Sequence, residues 1–285
     1  MNNFIEQIKR RLRLANIVEQ FIYLNIAVFI LSYLLKTLAW LVQGDTSLVT
    51  HWFALQDNFP ALLSKPWTLV TYGFLHGDFL HILFNLIVLF YFGNLFLNFF
   101  SKRDFLIYYF LGIVLGGLVY IFSYTYFPSL KNENSILVGA SAGIMAIVIG
   151  IATKIPNYAM HFRFIGGIKL WYIALGLVLF DLIQLPAGNT GGHLAHLGGA
   201  LTGYLLTHFA LGSGKRSGGS LFNLFRSKKQ KPLKTVYKNK APQKHKEFDT
   251  EHQKKIDSIL DKISKSGYEA LSREEKDFLF KTSKK

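Results

Sequence analysis

The sequence predicts an all-α fold: a polytopic membrane bundle of six transmembrane helices with a cytoplasmic helical-hairpin tail. Three observations predict it. Hydrophobic residues make up 51% of the 285 residues, Phe alone occurs 26 times, and mean hydropathy is +0.26; such a composition, in long apolar runs, belongs to membrane proteins. Six segments approach the about 20 apolar residues that a bilayer core requires of a helix. Basic residues gather on alternate connections between those segments.

The segments are read at 20–43, 79–99, 104–127, 139–153, 168–185 and 194–212. The fourth is the shortest, stops at Lys154 and suits a helix enclosed by the others. Lys9, Arg10, Arg11 and Arg13 precede the first span, Lys102 and Arg103 separate the second and third, and Lys154, Arg163 and Lys169 surround the fourth-to-fifth connection. The opposite connections hold only Lys65 and Lys131. The asymmetry predicts a multi-pass protein of the cell (inner or plasma) membrane with both termini cytoplasmic. No cleavable signal peptide is read at the basic N-terminus.

Charge divides the chain. Residues 1–212 carry 12 Lys/Arg against 8 Asp/Glu, and residues 213–285 carry 20 against 9. The expected parts are a cytoplasmic N-terminal segment 1–19, a membrane domain 20–212, a basic flexible linker 213–248 and a small cytoplasmic helical hairpin 249–285. In the hairpin, Ile256, Ile259, Leu260 and Ile263 recur at helical spacing, Ser266-Gly267 ends the first helix, and Ser272 to Glu275 form a capping box that opens the second. On a membrane protein the basic tail reads as cytoplasmic retention and attraction to anionic lipid rather than nucleic-acid binding. Its partner is left open.

The chemistry-bearing residues gather at one depth. Helices two, four and six run in parallel from outside to inside, and His81, Ser141 and His196 open them, with Asn85 one turn below His81. Polar groups at that depth are costly unless they face a bundle interior or water. A serine hydroxyl needs a base to become a nucleophile, and histidine supplies one near neutrality. His81, Asn85 and the backbone N–H at the start of the fourth helix are candidate oxyanion donors, or else interhelical glue. Asp181, the one carboxylate inside the bundle, reads as a structural or capping group, so a Ser-His dyad is favoured over a triad. Gly139 to Gly143 fits Gly-x-Ser-x-Gly, but the hydrolase elbow needs a strand before it, and helices surround this one. The pairs Gly139/Gly143, Gly112/Gly116 and Gly199/Gly203 suit close helix packing.

Other chemistries fit less well. The chain has no cysteine, which excludes disulfides and thiolates. His76, His81, His193 and His196 form the rival metal reading, but no His-Glu-x-x-His is present and no carboxylate accompanies them on their helices. No metal and no cofactor are therefore expected. A channel or transporter lacks paired intramembrane charge.

The motifs His81-x-x-x-Asn85, Gly139-x-Ser141 and Ala195-His196-x-x-Gly199-x-x-x-Gly203 together resemble the rhomboid intramembrane serine proteases over residues 67–212, in the six-helix bacterial form. The resemblance implies Ser141 as nucleophile, His196 as general base, and His81, Asn85 and the Ser141 backbone N–H as the oxyanion hole. It implies single-span or other membrane-anchored protein substrates, cut in or near the outer part of a transmembrane helix, within the lipid bilayer. Three positions depart from the family pattern: Trp67-Thr68 where many members have Trp-Arg, Ala142 where many have Gly, and Met145 where many have a Tyr stacked on the histidine. A catalytically silent rhomboid-like binder of membrane clients is the alternative, and the presence of both Ser141 and His196 argues against it. The loop 186–192 reads equally as a lid over the site and as a simple turn.

Overall fold

Polar side-chain caps open three of the long apolar helices in the computed structural model, which describes residues 6, 10, 14–131, 133–162, 166–212 and 248–282. Helix α1 (Ile17–Leu41) opens on a capping box in which the Asn16 side chain accepts from Glu19 N and Glu19 accepts from Asn16 N. The outer connection that follows holds α2 (Leu48–Phe53), β1 (Leu55–Gln56), α3 (Phe59–Ser64), α4 (Thr68–Thr71) and a 3-10 turn (Tyr72–Phe74). Helix α5 (Phe79–Leu97) is capped by Asp78, and α6 (Lys102–Tyr126) by a second capping box, Ser101 with Asp104. Next come β2 (Ile136–Leu137), α7 (Ser141–Lys154), the hairpin β3–β4 (Ala159–Phe162, Gly166–Lys169), α8 (Leu170–Gln184), a 3-10 turn (Leu185–Ala187) and α9 (Thr190–Gly212). These two short sheets depart from the all-α reading.

Among the described residues, four helices are long and apolar enough to cross a membrane: α1, α5, α6 and the stretch Leu170–Ala187. Helix α7 is apolar but shorter, and in α9 glycines, threonines and three histidines dilute the apolar content. The chain is a membrane protein by these helices, and large apolar side chains of α1, α5 and α8 stay exposed on the bundle surface.

Helix α7 is the centre. Every residue from Ala142 to Ala152 is buried, as expected of an enclosed fourth helix. Two glycine-bearing faces meet it. A Cβ on Gly199 would collide with the Ala142 carbonyl, and one on Gly203 with the Ala146 carbonyl. A Cβ on Gly112 would lie 2.7 Å from the Ala146 Cβ, and one on Gly116 2.8 Å from the Ala142 Cβ. The pairs 142/199 and 146/203 advance together by one turn, so α7 and α9 run parallel with backbones in contact, and both meet α6. Tyr108 closes the far end, its hydroxyl bonded to Thr207 Oγ1 at 2.9 Å.

Two expectations change. Helix α9 begins at Thr190, not near residue 194, so His196 lies inside it rather than at its opening. Gly191 and Gly192 are helical, and Gly191 is small because Tyr120 lies where a Cβ would point, 2.6 Å away. The anticipated loop 186–192 thus reduces to the 3-10 turn and the positive-φ pair Gly188 (117°) and Asn189 (50°), tied by Thr190 Oγ1 to the Leu185 carbonyl at 2.7 Å.

The chain divides into two units, Met1–Ser220 and Leu221–Lys285. In the second, α10 (Phe248–Ser266) ends at Gly267, with φ 77°, and α11 (Arg273–Thr282) starts from the expected capping box, Ser272 N to Glu275 Oε2 at 2.8 Å. Ile259 and Leu271 are its buried apolar residues, and Lys262 pairs with Glu275. The basic linker lies outside the described residues save its last, Phe248, as do Lys9, Arg11, Arg13 and Arg163.

The backbone contacts predict a graded response to methyl insertion. Gly199→Ala should destabilise the fold by about 1–3 kcal/mol or more, since overpacking here meets backbone. Gly176→Ala, on α8 with nothing within 4 Å, should not. Thermal unfolding of the detergent-solubilised variants checks both.

Candidate active site

Ser141 is the first residue of α7 and half-buried; Ala140 before it supplies no side-chain cap. The first turn of N–H groups therefore has no side chain to donate to, while the helix dipole is positive there. The segment leading to Ser141 is held on three sides. Strands β1 and β2 pair antiparallel, Leu55 with Leu137 and Gln56 with Ile136. Ser135 N donates to Asp57 Oδ2 at 2.7 Å, and Gly139 N donates to the Tyr72 carbonyl at 3.0 Å. Gly139 has φ 131°, where L side chains strain, and a Cβ there would lie 2.8 Å from His81 Nε2 and 3.5 Å from Ser141 Oγ. Glycine is thus required, and its absent side chain leaves one small space bordered by His81 Nε2 and the Ser141 hydroxyl.

His81 is half-buried in the first turn of α5, its N–H bonded to Asp78 Oδ1 at 2.8 Å. The Gly77 N–H approaches its Nδ1 at 3.5 Å, which favours the proton on Nε2, the nitrogen facing Gly139. Asn85, buried one turn on, donates from Nδ2 to the His81 carbonyl at 2.9 Å. An amide nitrogen has two hydrogens, so one remains.

His196 sits half-buried on α9, one turn before the Gly199 that touches Ala142. The chain thereby brings Ser141 and His196 to the same end of two parallel helices. No hydrogen bond joins Ser141 to His196 among the described residues. Met145 packs with Ile149 and Ala200.

The residue that the sequence reading undervalued is Asp181. It is no helix cap. Its buried Oδ1 accepts from His193 Nδ1 at 2.7 Å and from His196 Nδ1 at 2.8 Å. A signal was present: α8 runs opposite to α9, so a carboxylate near its C-terminal end shares a level with residues near the start of α9. The sequence reading also held that no carboxylate accompanies the histidines, which is true of their own helices but not of the bundle. The donor atoms of Asp181, His193 and His196 lie within 4.8 Å of one another, the one group of metal-binding type among the described residues. A metal ion would need a lone pair from each nitrogen, whereas both nitrogens here sit at hydrogen-bond distance from one carboxylate oxygen. The arrangement is that of two N–H donors sharing an acceptor.

The connection missing the family's Trp-Arg is anchored by other means. Trp67 Nε1 donates to the Trp52 carbonyl at 2.8 Å with the two indoles stacked, Lys65 Nζ reaches the His51 carbonyl at 2.8 Å, and Thr71 Oγ1 the Phe53 carbonyl at 2.8 Å.

This bundle, with small-residue crossings and a serine-histidine pair at one helix end, is that of a known class. The chain matches the Rhomboid domain over residues 63–213, more than half its length, and belongs to the rhomboid family. Residues 237–285 match a family of unknown function (DUF6576). Among curated proteins the chain is 26% identical over 172 residues to RHOMBOID-like protein 12, mitochondrial, of Arabidopsis thaliana, covering 56% of this chain and 51% of that protein. It is 26% identical over 162 residues to Presenilin-associated rhomboid-like protein A, mitochondrial, of Danio rerio (50% and 37%), and 29% over 146 residues to RHOMBOID-like protein 4 of A. thaliana (49% and 33%). The chain thus spans about half or less of the length of these relatives.

His76 borders the site. It is buried, neither ring nitrogen has a hydrogen-bond partner among the described residues, and it meets the His81 ring edge-on at 5.1 Å. Burial first, then the charge of His81, pushes its pKa down to about 4. The unfolded chain, with an ordinary histidine near 6.5, binds more protons below that value. Stability from the neutral ring is therefore complete above about pH 6.5 and is lost as pH falls towards about 4, by at most about 3 kcal/mol. His76→Leu should flatten the fall in unfolding free energy across this window, measured by denaturation at stepped pH. An unchanged slope would show that the ring titrates alike in the folded and unfolded chain.

Proposed function

We propose that the protein is an intramembrane serine endopeptidase acting on membrane-anchored proteins through Ser141 and His196. The observation that carries this reading is the backbone contact of Gly199 with Ala142, which supports a nucleophile and a base at one helix end. Ser141 Oγ attacks the scissile carbonyl, and its proton passes to His196 Nε2. The developing oxyanion is met by the Ser141 N–H, His81 Nε2–H and the free Asn85 amide hydrogen. The imidazolium then protonates the leaving amine as the C–N bond breaks. Water, activated by the same nitrogen, hydrolyses the acyl-enzyme and frees Ser141. This chemistry asks for no metal.

A six-crossing topology with both termini on the side opposite Ser141 is the arrangement we infer from the basic residues. The relatives give no support for a plasma-membrane location, since two of the three are mitochondrial by name. The C-terminal unit joins after the last site residue, so we assign it no part in catalysis.

Ser141→Ala and His196→Ala should each abolish cleavage of a single-span substrate in liposomes, and Ser141→Ala should abolish labelling by a fluorophosphonate. His81→Ala or Asn85→Ala should slow turnover by about 2–4 kcal/mol in barrier. A folded parent that neither cleaves nor labels would favour the silent client-binding reading. Activity lost to a chelator and restored by zinc would instead make the Asp181 trio a metal site.

Topology has its own test. Single cysteines at Lys131 and Gly188 should label from the Ser141 side of sealed vesicles, and one at Lys102 should not. The chain has no native cysteine to interfere. The converse pattern would overturn the inferred orientation.

A further inference from the structure

We propose that Asp181 is a positioning residue that makes the serine-histidine pair a triad, fixing His196 in the tautomer whose free Nε2 lone pair serves as the base. The inference deepens the protease reading and depends on it for its catalytic meaning.

Four observations converge. Helix α8 exposes most of its surface, and among its residues only Leu170 and Asp181 are buried. A lipid-exposed helix that turns its one carboxylate inward does so for a partner, because an unpaired carboxylate inside a membrane is costly. The partners are both imidazoles, each through Nδ1 and each to the same Oδ1, at 2.7 and 2.8 Å. Finally, Asp181 lies in the last turn of its helix, where the dipole disfavours negative charge; the two N–H donors offset that.

The consequence for His196 follows from imidazole chemistry. A neutral ring carries one proton. If Nδ1 donates it to a carboxylate, Nε2 has a lone pair and accepts the Ser141 proton; the reverse tautomer presents an N–H to the serine and is no base. After transfer, the imidazolium keeps its Nδ1–H on the carboxylate, whose negative charge stabilises it. Asp181 itself takes no proton. His193 occupies a second lone pair of the same oxygen, so the carboxylate cannot turn away from His196 without breaking another buried bond. This role differs from a pin between α8 and α9. A pin would act on stability alone.

The test uses the full chain in detergent or liposomes. Asp181→Asn keeps the side-chain shape but can present its NH2 to Nδ1, favouring the wrong tautomer. The expected result is a fall in kcat of roughly 10²- to 10⁴-fold, with KM changed little and a matching fall in the rate of fluorophosphonate labelling. In the parent, 15N spectra of labelled histidine, recorded where the ring is neutral, should show His196 protonated on Nδ1, the signal being identified by its loss in His196→Ala. This second measurement decides the matter even if Asp181→Asn does not fold. Either an Nε2–H tautomer in the parent, or an Asp181→Asn protein that is less stable but turns over at the parent rate, overturns the proposal. A parent that fails to cleave at all strikes the protease reading instead, and the tautomer then reports only on the hydrogen bond.

Discussion

The backbone of α7 touching the backbone of α9 is the constraint from which the rest follows. Two helices with ordinary side chains at the crossing stand 8–10 Å apart. Gly199 and Gly203 against Ala142 and Ala146 remove that spacing, and Gly112 and Gly116 do the same on the α6 side. In lipid no hydrophobic drive holds helices together, so close dispersion contact over small residues has to. Because the contact repeats at a one-turn interval on both helices, it sets their parallel direction and their register at once. Ser141 and His196 inherit their common level from that register rather than from any bond between them. Ala142, where the resemblance leads one to expect glycine, fits this account: its methyl packs against Gly116 rather than filling the site.

A second layer of order comes from polar groups. The connection between α1 and α5 packs Leu55, Tyr72 and Phe74 on the bundle, and Tyr72 and Tyr109 also bond across it to the Ile113 and Gly73 carbonyls, at 2.7 and 3.2 Å. The same connection holds the segment before Ser141 through β1–β2, Asp57 and the Tyr72 carbonyl. A loop on the outside of the bundle thus positions the first residue of its most buried helix. Gly139 is the joint: only a residue without Cβ can both take φ 131° and let His81 approach.

How much of this was legible in the sequence varied with the physics involved. Most of the helices were, because apolar length is local, although the caps Asn16, Asp78 and Ser101 that set three of their starts went unread. The glycine pairs were legible as packing devices, since small residues one turn apart have few other uses in apolar helices. That Ser141, His196, His81 and Asn85 lie towards one end of the bundle followed from counting helix directions. The start of α9 did not, because Gly191 looks like a loop residue until Tyr120 is seen against it. The short β1–β2 pairing was invisible for a related reason: two residues per strand, about 80 positions apart, carry no period of their own. Asp181 was visible as a residue but not as a partner. Its helix is, with α1, the least buried of the four membrane-length helices, and nothing local says which way it turns.

That last case shows where a polar residue in an apolar helix has to be weighed. Read alone, Asp181 has two disadvantages, a membrane interior and the negative end of its own helix dipole. Both would be lessened by replacing it with leucine, and a helix so exposed would lose little packing. The carboxylate makes sense only with the two imidazoles of α9, which themselves would be unpaired polar groups without it. His193 and His196 are three residues apart and so share a face, and one oxygen serves both. A serine-histidine pair can work without such a group, but its histidine must then find its orientation from packing. Here Met145 stands where a stacking tyrosine would orient the ring, and it packs on Ile149 and Ala200. With that restraint absent, orientation of the histidine falls to the hydrogen bond from α8, and the departure at residue 145 and the carboxylate at residue 181 become two parts of one solution.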